Sequence, residues 1–487
     1  MNNILFIIWL GLNTLLLIFV LHELYLLASA LMRKKKPKKT IDPLQPLPFI
    51  TLQLPVYNEK YVILRLLESA AKLNYPSSKL EIQILDDSTD ETTEIIRNFI
   101  NTQTSIHVFS HVRRSDRFGF KAGAMAYGLK EAKGEFIAIF DADFVISPDF
   151  LEQVVPYFSD QSVGVVQTKW KHLNESYSLL TRAQAIMLNT HFSIEQLGRS
   201  SAHGFINFNG TAGVWRRACI DDAGGWHADT LTEDLDLSYR AQIKKWRFEY
   251  LFDVGSPAEL PITFEAYRTQ QHRWSKGAAE CVRKNWGLLW QSKVPLKAKI
   301  LGSFHLLNSS VYLLIIPLVL FSPIIYLIMQ NNLITVPNHK ELASIGVVTS
   351  SLLIFIFFVG NLLGQRHIVQ KIVWFIPSIF FFFAMTSGIA LYMVIGVLEG
   401  YFKKPSDFVR TPKFGESKEL VTKVKTGYDF KKELSLRFFE VFFLAYGIFI
   451  LYLGIRDANG MMITYASIIT VGYSLAVLFP KKTFRLS

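Results

Sequence analysis

Apolar positions are spread unevenly along this chain. Residues 4–32 are mostly apolar and almost uncharged, except for His22 and Glu23. That length crosses a bilayer core, which takes about 20 residues. Residues 303–329, 344–363, 438–455 and 461–479 repeat the pattern, the last two joined by the turn Arg456-Asp457-Ala458-Asn459-Gly460. Residues 49–290 differ. Short strand-like runs at 49–54, 80–85, 105–109 and 135–140 alternate with helical patterns at 61–73, 91–102 and 122–132. Such alternation predicts a mostly parallel sheet with helices on both faces. Ligands in such sheets bind beyond the C-terminal strand ends, which draws attention to Asn58, Asp86, Asp87, Asp141 and Asp143.

Composition agrees with a soluble domain set among membrane segments. Half of the 487 residues are hydrophobic and the mean hydropathy is +0.24, too apolar for an ordinary soluble enzyme. Cys219 and Cys281 offer neither a disulfide framework nor a zinc pattern. The net charge of +12 gathers beside apolar segments, so anionic lipid headgroups explain it better than nucleic acid, and no nucleic-acid partner is expected. Arg33 and Lys34–Lys36 follow the first apolar segment directly. A cleaved signal has the opposite order, so residues 1–32 read as an anchor with the N-terminus outside. The stretch 368–402 is apolar enough to cross. A single crossing would place the basic segments 403–432 and 481–485 outside. An interfacial or re-entrant course keeps both inside, and gives five crossings in all. A sixth true span is the alternative.

Several motifs carry possible chemistry. Tyr57-Asn58-Glu59 follows the first strand, where polar groups can surround a nucleotide, although Asn58 equally suits a turn. Asp86-Asp87 follows the second and either accepts hydrogen bonds from a base or ribose or caps the next helix. Asp141-Ala142-Asp143 places two carboxylates after a strand, on one side if the backbone stays extended. Two hard oxygens suit Mg²⁺ or Mn²⁺ with phosphate and water. Lys121 either touches phosphate or merely starts a helix. Thr232-Glu233-Asp234 precedes a helical run: Thr232 caps it with two acids in the first turn, or Asp234 acts as a general base. In Gln270-Gln271-His272-Arg273-Trp274, Arg273 suits phosphate, Trp274 a sugar face and Gln270 hydroxyls. The same stretch also fits an amphipathic surface helix.

Taken in order, these motifs resemble the processive branch of family 2 glycosyltransferases, which includes cellulose, chitin and hyaluronan synthases. The resemblance tightens over Phe208-Asn209-Gly210-Thr211-Ala212-Gly213, Gly224-Gly225-Trp226 and the stretch through Trp274-Ser275-Lys276-Gly277. That part is most similar to the cellulose-synthase-like A and C groups, the mannan/glucomannan and glucan synthases, and their bacterial relatives. Phe408-Val409-Arg410-Thr411-Pro412-Lys413 is similar to the FxVTxK gating loop of cellulose synthases, with Arg410 in place of the usual Val.

The resemblance implies a GT-A fold, Rossmann-like, inserted between transmembrane helices of a multi-pass protein. It implies inverting transfer of a hexose from a UDP- or GDP-sugar to a growing β-linked glycan, with Mg²⁺ or Mn²⁺. Asp141 and Asp143 would hold the metal. Tyr57, Glu59, Asp86, Asp87, Lys121, Asp141, Arg273, Thr411 and Lys413 would hold the nucleotide-sugar. Asp234, with Glu233, would be catalytic; Asn209, Thr211, Gln270 and Trp274 would meet the acceptor. The expected organisation is an anchor at 1–32, a cytosolic domain at 33–290, an interfacial segment and two spans at 291–365, an interfacial or re-entrant segment with the gating-like loop (408–415) at 366–437, and two spans with a basic tail at 438–487. The expected location is the bacterial inner or plasma membrane, or the Golgi in a eukaryote. The alternative function is a non-processive transferase adding one sugar to a membrane lipid. A degenerate, non-catalytic membrane protein is disfavoured because every carboxylate motif is retained.

Overall fold

The computed structural model describes residues 1–33, 44–365, 367–404, 411, 413 and 434–478. Its centre is a seven-stranded sheet: β1 (Ile50–Val56), β2 (Leu80–Asp86), β3 (Val108–Val112), β4 (Phe136–Ile139), β5 (Val163–His172), β6 (Gly213–Arg216) and β7 (Arg247–Ala258). Their spatial order is β3-β2-β1-β4-β6-β5-β7. Strand β1 pairs parallel with β2 and β4, and β2 with β3. The sheet is mostly parallel, as expected, with β5 also parallel to β7; the exception is β6, which runs antiparallel to both β4 and β5. Only four residues long, β6 is too short to show a strand period in the sequence.

The central strands are buried on both faces, as crossover helices require. Ile50, Leu52, Leu54 and Val56 enter one core. The opposite face of β1 carries Thr51 and Gln53, fully buried. They pair across the ladder: Thr51 Oγ1 donates to Glu81 Oε1 at 2.6 Å, and Gln53 Nε2 to Gln83 Oε1 at 3.1 Å. Paired buried polar groups of this kind cost little and fix register. The expected helices form at Ile63–Ala70, Thr92–Thr102 and Phe120–Glu131.

Among the described residues, six helices are long and apolar enough to cross a membrane: Asn2–Leu31, Leu296–Gln330, His339–Leu362, Ile368–Tyr401, Leu436–Arg456 and Gly460–Leu478. This is the architecture of a multi-pass membrane protein. Ile368–Tyr401 is one continuous helix, so the chain does not dip and return within it. Its most apolar window is 61% buried inside the protein, against 11–39% for the other five. Protein, more than any surrounding medium, therefore satisfies its apolar surface. It packs along the helix Phe264–Gln291, and a Cβ on Gly400 would lie 2.5 Å from the Lys276 carbonyl oxygen. Only glycine permits that approach.

Candidate active site

The loops at the C-terminal ends of β1, β2 and β4 open on one cavity of about 1330 Å³. Tyr57, Glu59, Asp87 and Arg117 line one end, with the Arg117 guanidinium 3.3 Å from the Tyr57 ring centroid. Asn58 is a brace: its Oδ1 accepts from the Thr89 amide at 2.8 Å.

The adjacent acids 86 and 87 have separate fates. Asp86 is fully buried, and its oxygens accept from the Ser88 amide (2.8 Å), Thr93 Oγ1 (2.8 Å) and His111 Nε2 (2.9 Å). Burial opposes its ionisation, yet His111, Ser88 and Thr93 hold the carboxyl below its ordinary value. Asp86 is thus committed to the fold and does not line the cavity, in contrast to its expected nucleotide contact. Asp87 does line it, gripped by Arg114 through Nε at 2.8 Å and Nη2 at 2.6 Å.

Asp141 and Asp143 leave β4 through a turn, not the extended backbone that would set them on one side by alternation, but both line the cavity. Each faces an ammonium. Lys121 Nζ is 2.5 Å from Asp141 Oδ1, and Lys413 Nζ is 2.7 Å from Asp143 Oδ2. Against burial, Asp141 and Glu233 hold the Lys121 ammonium above its ordinary value. Thr411 and Lys413 both line the cavity too. The other residues of the 408–415 segment lie outside the described ones.

Glu233 and Asp234 begin the helix Glu233–Ile243, as expected of acids in a first turn. Thr232 stands at its N-cap but makes no capping bond; its Oγ1 instead meets Cys281 Sγ at 3.4 Å. Burial first, then the neighbouring Glu233 charge, push the Asp234 carboxyl up to about 7. Glu233 is raised by the same burial.

The helix Phe264–Gln291 divides the basic residues of its motif between two faces. Gln270, Gln271, Arg273 and Trp274 line the cavity. Burial lowers the Arg273 pKa, opposed by Glu233, Asp141, Asp234 and Asp143, which places the guanidinium within the field of all four acids. The opposite face docks on membrane-type helices. Arg268 Nη1 is 3.5 Å from Glu440 Oε1, both buried, and Lys276 Nζ is 3.4 Å from Glu399 Oε2.

Asn209 lines the cavity, but Thr211 does not. Thr211 is fully buried and its Oγ1 accepts from the Asp141 amide at 2.9 Å. It positions the Asp141 turn and lies out of reach of an acceptor, contrary to the expectation. Arg117, His191 and Glu195 also stand in the cavity wall, although nothing in the sequence singles them out; only tertiary structure brings them together. Glu259, in the Glu259-Leu260-Pro261 segment that shares the family resemblance, lines it too. Beyond Asp234 the cavity runs on past His305, Asn308 and Ser309 to Ser322, Ser350 and Tyr465 among the membrane-type helices.

Among the described residues, the one group spaced to share a metal ion by three His or Asp ligands is His227, Asp229 and Asp236. It lies outside this cavity. Lys284 Nζ already satisfies all three, at 3.0, 2.6 and 3.1 Å.

A mixed sheet with paired carboxylates past β4 and a cavity at the strand ends defines the GT-A class of transferase domain. The match is direct in sequence: residues 48–277 fit the family described as glycosyltransferase like family 2. Glucomannan 4-beta-mannosyltransferase 9 of Arabidopsis thaliana is 34% identical over 426 residues, covering 84% of this chain and 76% of the plant protein. Probable glucomannan 4-beta-mannosyltransferase 3 of the same plant is 43% identical over 256 residues, 50% of this chain and 45% of that one. This chain therefore spans about half the length of the latter relative. In fold, it is similar to mannosyltransferase PcManGT from Pyrobaculum calidifontis, solved with GDP-Man and Mn²⁺. The TM-score is 0.57 at 17% identity, covering 83% of this chain and 100% of that one. The chain belongs to glycosyltransferase family 2.

Proposed function

We propose that this protein is an inverting, metal-dependent hexosyltransferase that extends a β-linked glycan of mannan or glucan type from a nucleotide-sugar. The relatives' names favour a mannosyl donor. The observation that carries this reading is Asp234: a half-buried carboxyl, raised to about 7, in one cavity with Asp141, Asp143 and Arg273. A group with that pKa exists in both protonation states near neutrality, as a general base needs.

In this reading Tyr57, Asp87 and Arg117 hold the nucleotide. The acceptor hydroxyl oxygen attacks the anomeric carbon, and the carbon–oxygen bond to phosphate breaks with its electron pair leaving on the nucleoside diphosphate. The hydroxyl proton passes to Asp234. Arg273 and Lys121 lie where negative charge grows on the leaving group, and preorganised cations there lower the barrier. Asp141 and Asp143 suit a divalent cation: both are cavity carboxylates already facing positive charge, from Lys121 and Lys413. When bound, such a cation supplies charge neutralisation for the diphosphate.

The catalytic domain faces the cytosol in this reading, because Arg33 and the basic residues after it follow the first membrane-type helix. The cavity's extension among the membrane-type helices favours a polymer product over a single sugar on lipid. Membranes carrying the chain are to be supplied with labelled GDP- and UDP-hexoses, followed by product sizing and linkage analysis. An elongated β-linked product from wild type and none from Asp234→Asn is expected. A single-sugar lipid product would establish the alternative, and wild-type turnover by Asp234→Asn would remove the assigned base.

A further inference from the structure

Two helices carry the proposed chemistry. The helix Glu233–Ile243 presents Asp234 to the cavity, and the helix Phe264–Gln291 presents Gln270, Arg273 and Trp274. The second helix continues the same face beyond the cavity. Gly277, Glu280, Cys281, Lys284 and Asn285 extend the three- and four-residue spacing of those positions, which lays them along one side. All five meet the segment that enters and begins the helix of Asp234. A Cβ on Gly277 would lie 2.6 Å from Thr232 Cγ2 and 2.9 Å from the Thr232 amide nitrogen, an approach that glycine permits. Glu280 Oε2 accepts from the Leu231 amide at 2.7 Å, and Cys281 Sγ lies 3.4 Å from Thr232 Oγ1.

The last two contacts of the row converge on Asp236. Residues two apart on a helix point to different sides, and Asp236 turns away from the cavity that Asp234 lines. Its carboxylate is fully buried. Oδ1 accepts from Asn285 Nδ2 at 3.1 Å. Oδ2 meets Lys284 Nζ at 3.1 Å, Arg240 Nε at 3.0 Å and Arg240 Nη2 at 2.9 Å. Arg240 also donates to the Gly225 carbonyl at 2.8 Å, and Lys284 to Asp229 Oδ1 at 2.6 Å, so the loop before Thr232 is tied to the same point. A buried carboxylate is costly unless it is paired and hydrogen-bonded this fully. None of these partners lines the cavity, so the arrangement serves the site only through what it holds in place.

We propose, on the transfer reading above, that Asp236 is a positioning residue. Through Lys284 and Asn285 it clamps the helix of Asp234 to the helix of Arg273. It thereby sets the distance between the group that takes the acceptor proton and the cation beside the leaving diphosphate. The link is mechanical. Arg273 and Lys284 stand on one continuous helix that no proline interrupts, about 16 Å apart at 1.5 Å per residue. Asp236 lies about half a turn beyond Asp234. A shift at the clamp therefore reaches Asp234 almost undamped, and a misplacement of about 1 Å at reacting groups can cost about a hundredfold in rate.

The test uses the full-length protein in detergent. It measures transfer to short β-linked mannose oligosaccharides, donor KM, and calorimetric binding of GDP or UDP, whichever the wild type binds. Lys284→Met keeps the aliphatic stem and removes the ammonium, at a side chain 20% exposed. Its transfer kcat is expected to fall about tenfold or more, with donor KM and diphosphate binding within about twofold. Asp236→Asn should show the same split. Combining the two should cost little more than either alone, because both remove one link. Lys284→Arg, which retains a cation, should recover most of the kcat. Wild-type kcat in Lys284→Met, a matching fall in diphosphate binding, or losses that multiply in the double variant would each overturn the clamp. Should Asp236→Asn not fold, Lys284→Met and Lys284→Arg decide the matter by themselves. If the wild-type protein transfers no hexose donor, the transfer reading itself fails, and that failure is visible before any variant is compared.

Discussion

The Lys413 ammonium lies 2.7 Å from Asp143 Oδ2, although 270 positions separate the two residues in sequence. The same nitrogen donates to the Glu259 carbonyl at 2.7 Å. A residue from the segment that resembles a gating loop is thus seated on the second carboxylate of the β4 pair. When a diphosphate arrives, this ammonium can exchange a carboxylate partner for phosphate oxygens without leaving the cavity. Lys413→Gln is expected to raise donor KM about tenfold, as loss of a charge-assisted contact would. Steady-state kinetics in donor concentration check this, and an unchanged donor KM would rule out the contact.

The pH profile follows from Asp234. Its carboxyl is pushed up to about 7 by burial and by Glu233, and only the deprotonated form accepts the hydroxyl proton. Below that value kcat/KM should fall about tenfold per pH unit, and above it should level off. Glu233→Gln removes the like charge that raises the pKa, so its acidic limb should move to lower pH. A limb that stays in place, or moves upward, would show that Glu233 does not set the base.

Gly210 has φ +78° and sits against Asp234, the proposed base. An alanine there takes a left-handed backbone that costs roughly 1–2 kcal/mol, and its Cβ would stand 3.2 Å from Asp234 Oδ2 and 3.5 Å from Lys121 Nζ. Gly210→Ala should therefore lower kcat at least about tenfold, because small displacements of catalytic groups are costly. Binding of the nucleoside diphosphate at Tyr57 and Asp87 should persist. Calorimetric titration with the diphosphate separates the two effects; wild-type kcat would contradict the crowding.

Chelation tests the β4 carboxylates. Exhaustive chelator treatment should abolish transfer, and Mg²⁺ or Mn²⁺ should restore it. In Asp141→Asn, with one hard ligand gone, restoration should require a higher ion concentration. Activity indifferent to chelation would remove the metal from the reaction.

Much of this site is legible in the amino-acid sequence. Strand ends at Asp87 and Asp141 follow from local hydrophobic runs, and the helices near them from their period. Legibility stops where an assignment depends on which way a side chain turns. Asp86 and Asp87 are adjacent and chemically identical, yet one is consumed by Ser88, Thr93 and His111 while the other faces the cavity. Thr211 turns inward to Asp141. The π-helix at His191–Gln196 contains no glycine or proline that would mark it in the sequence. Ile368–Tyr401 shows the same limit on a larger scale: its composition suits a membrane, while its burial comes mostly from protein.

The cavity's extension among the membrane-type helices supplies the last prediction. Ser350, on the helix His339–Leu362, lines it, as do Ser322 and Tyr465 from two other such helices. In the proposed reading, a polysaccharide that left Asp234 along this course would pass that level. Ser350→Trp places a bulky ring in the passage, some distance from the catalytic carboxylates, whose local hydrogen bonds it does not touch. Hydrolysis of the nucleotide-sugar should stay within about twofold, since overpacking at a peripheral site costs stability more than chemistry. Product length should fall, because each added sugar must advance the chain into a narrowed space. Sizing of labelled product against the hydrolysis rate decides the point. Full-length product from a well-folded Ser350→Trp protein would mean that the glycan leaves by another route.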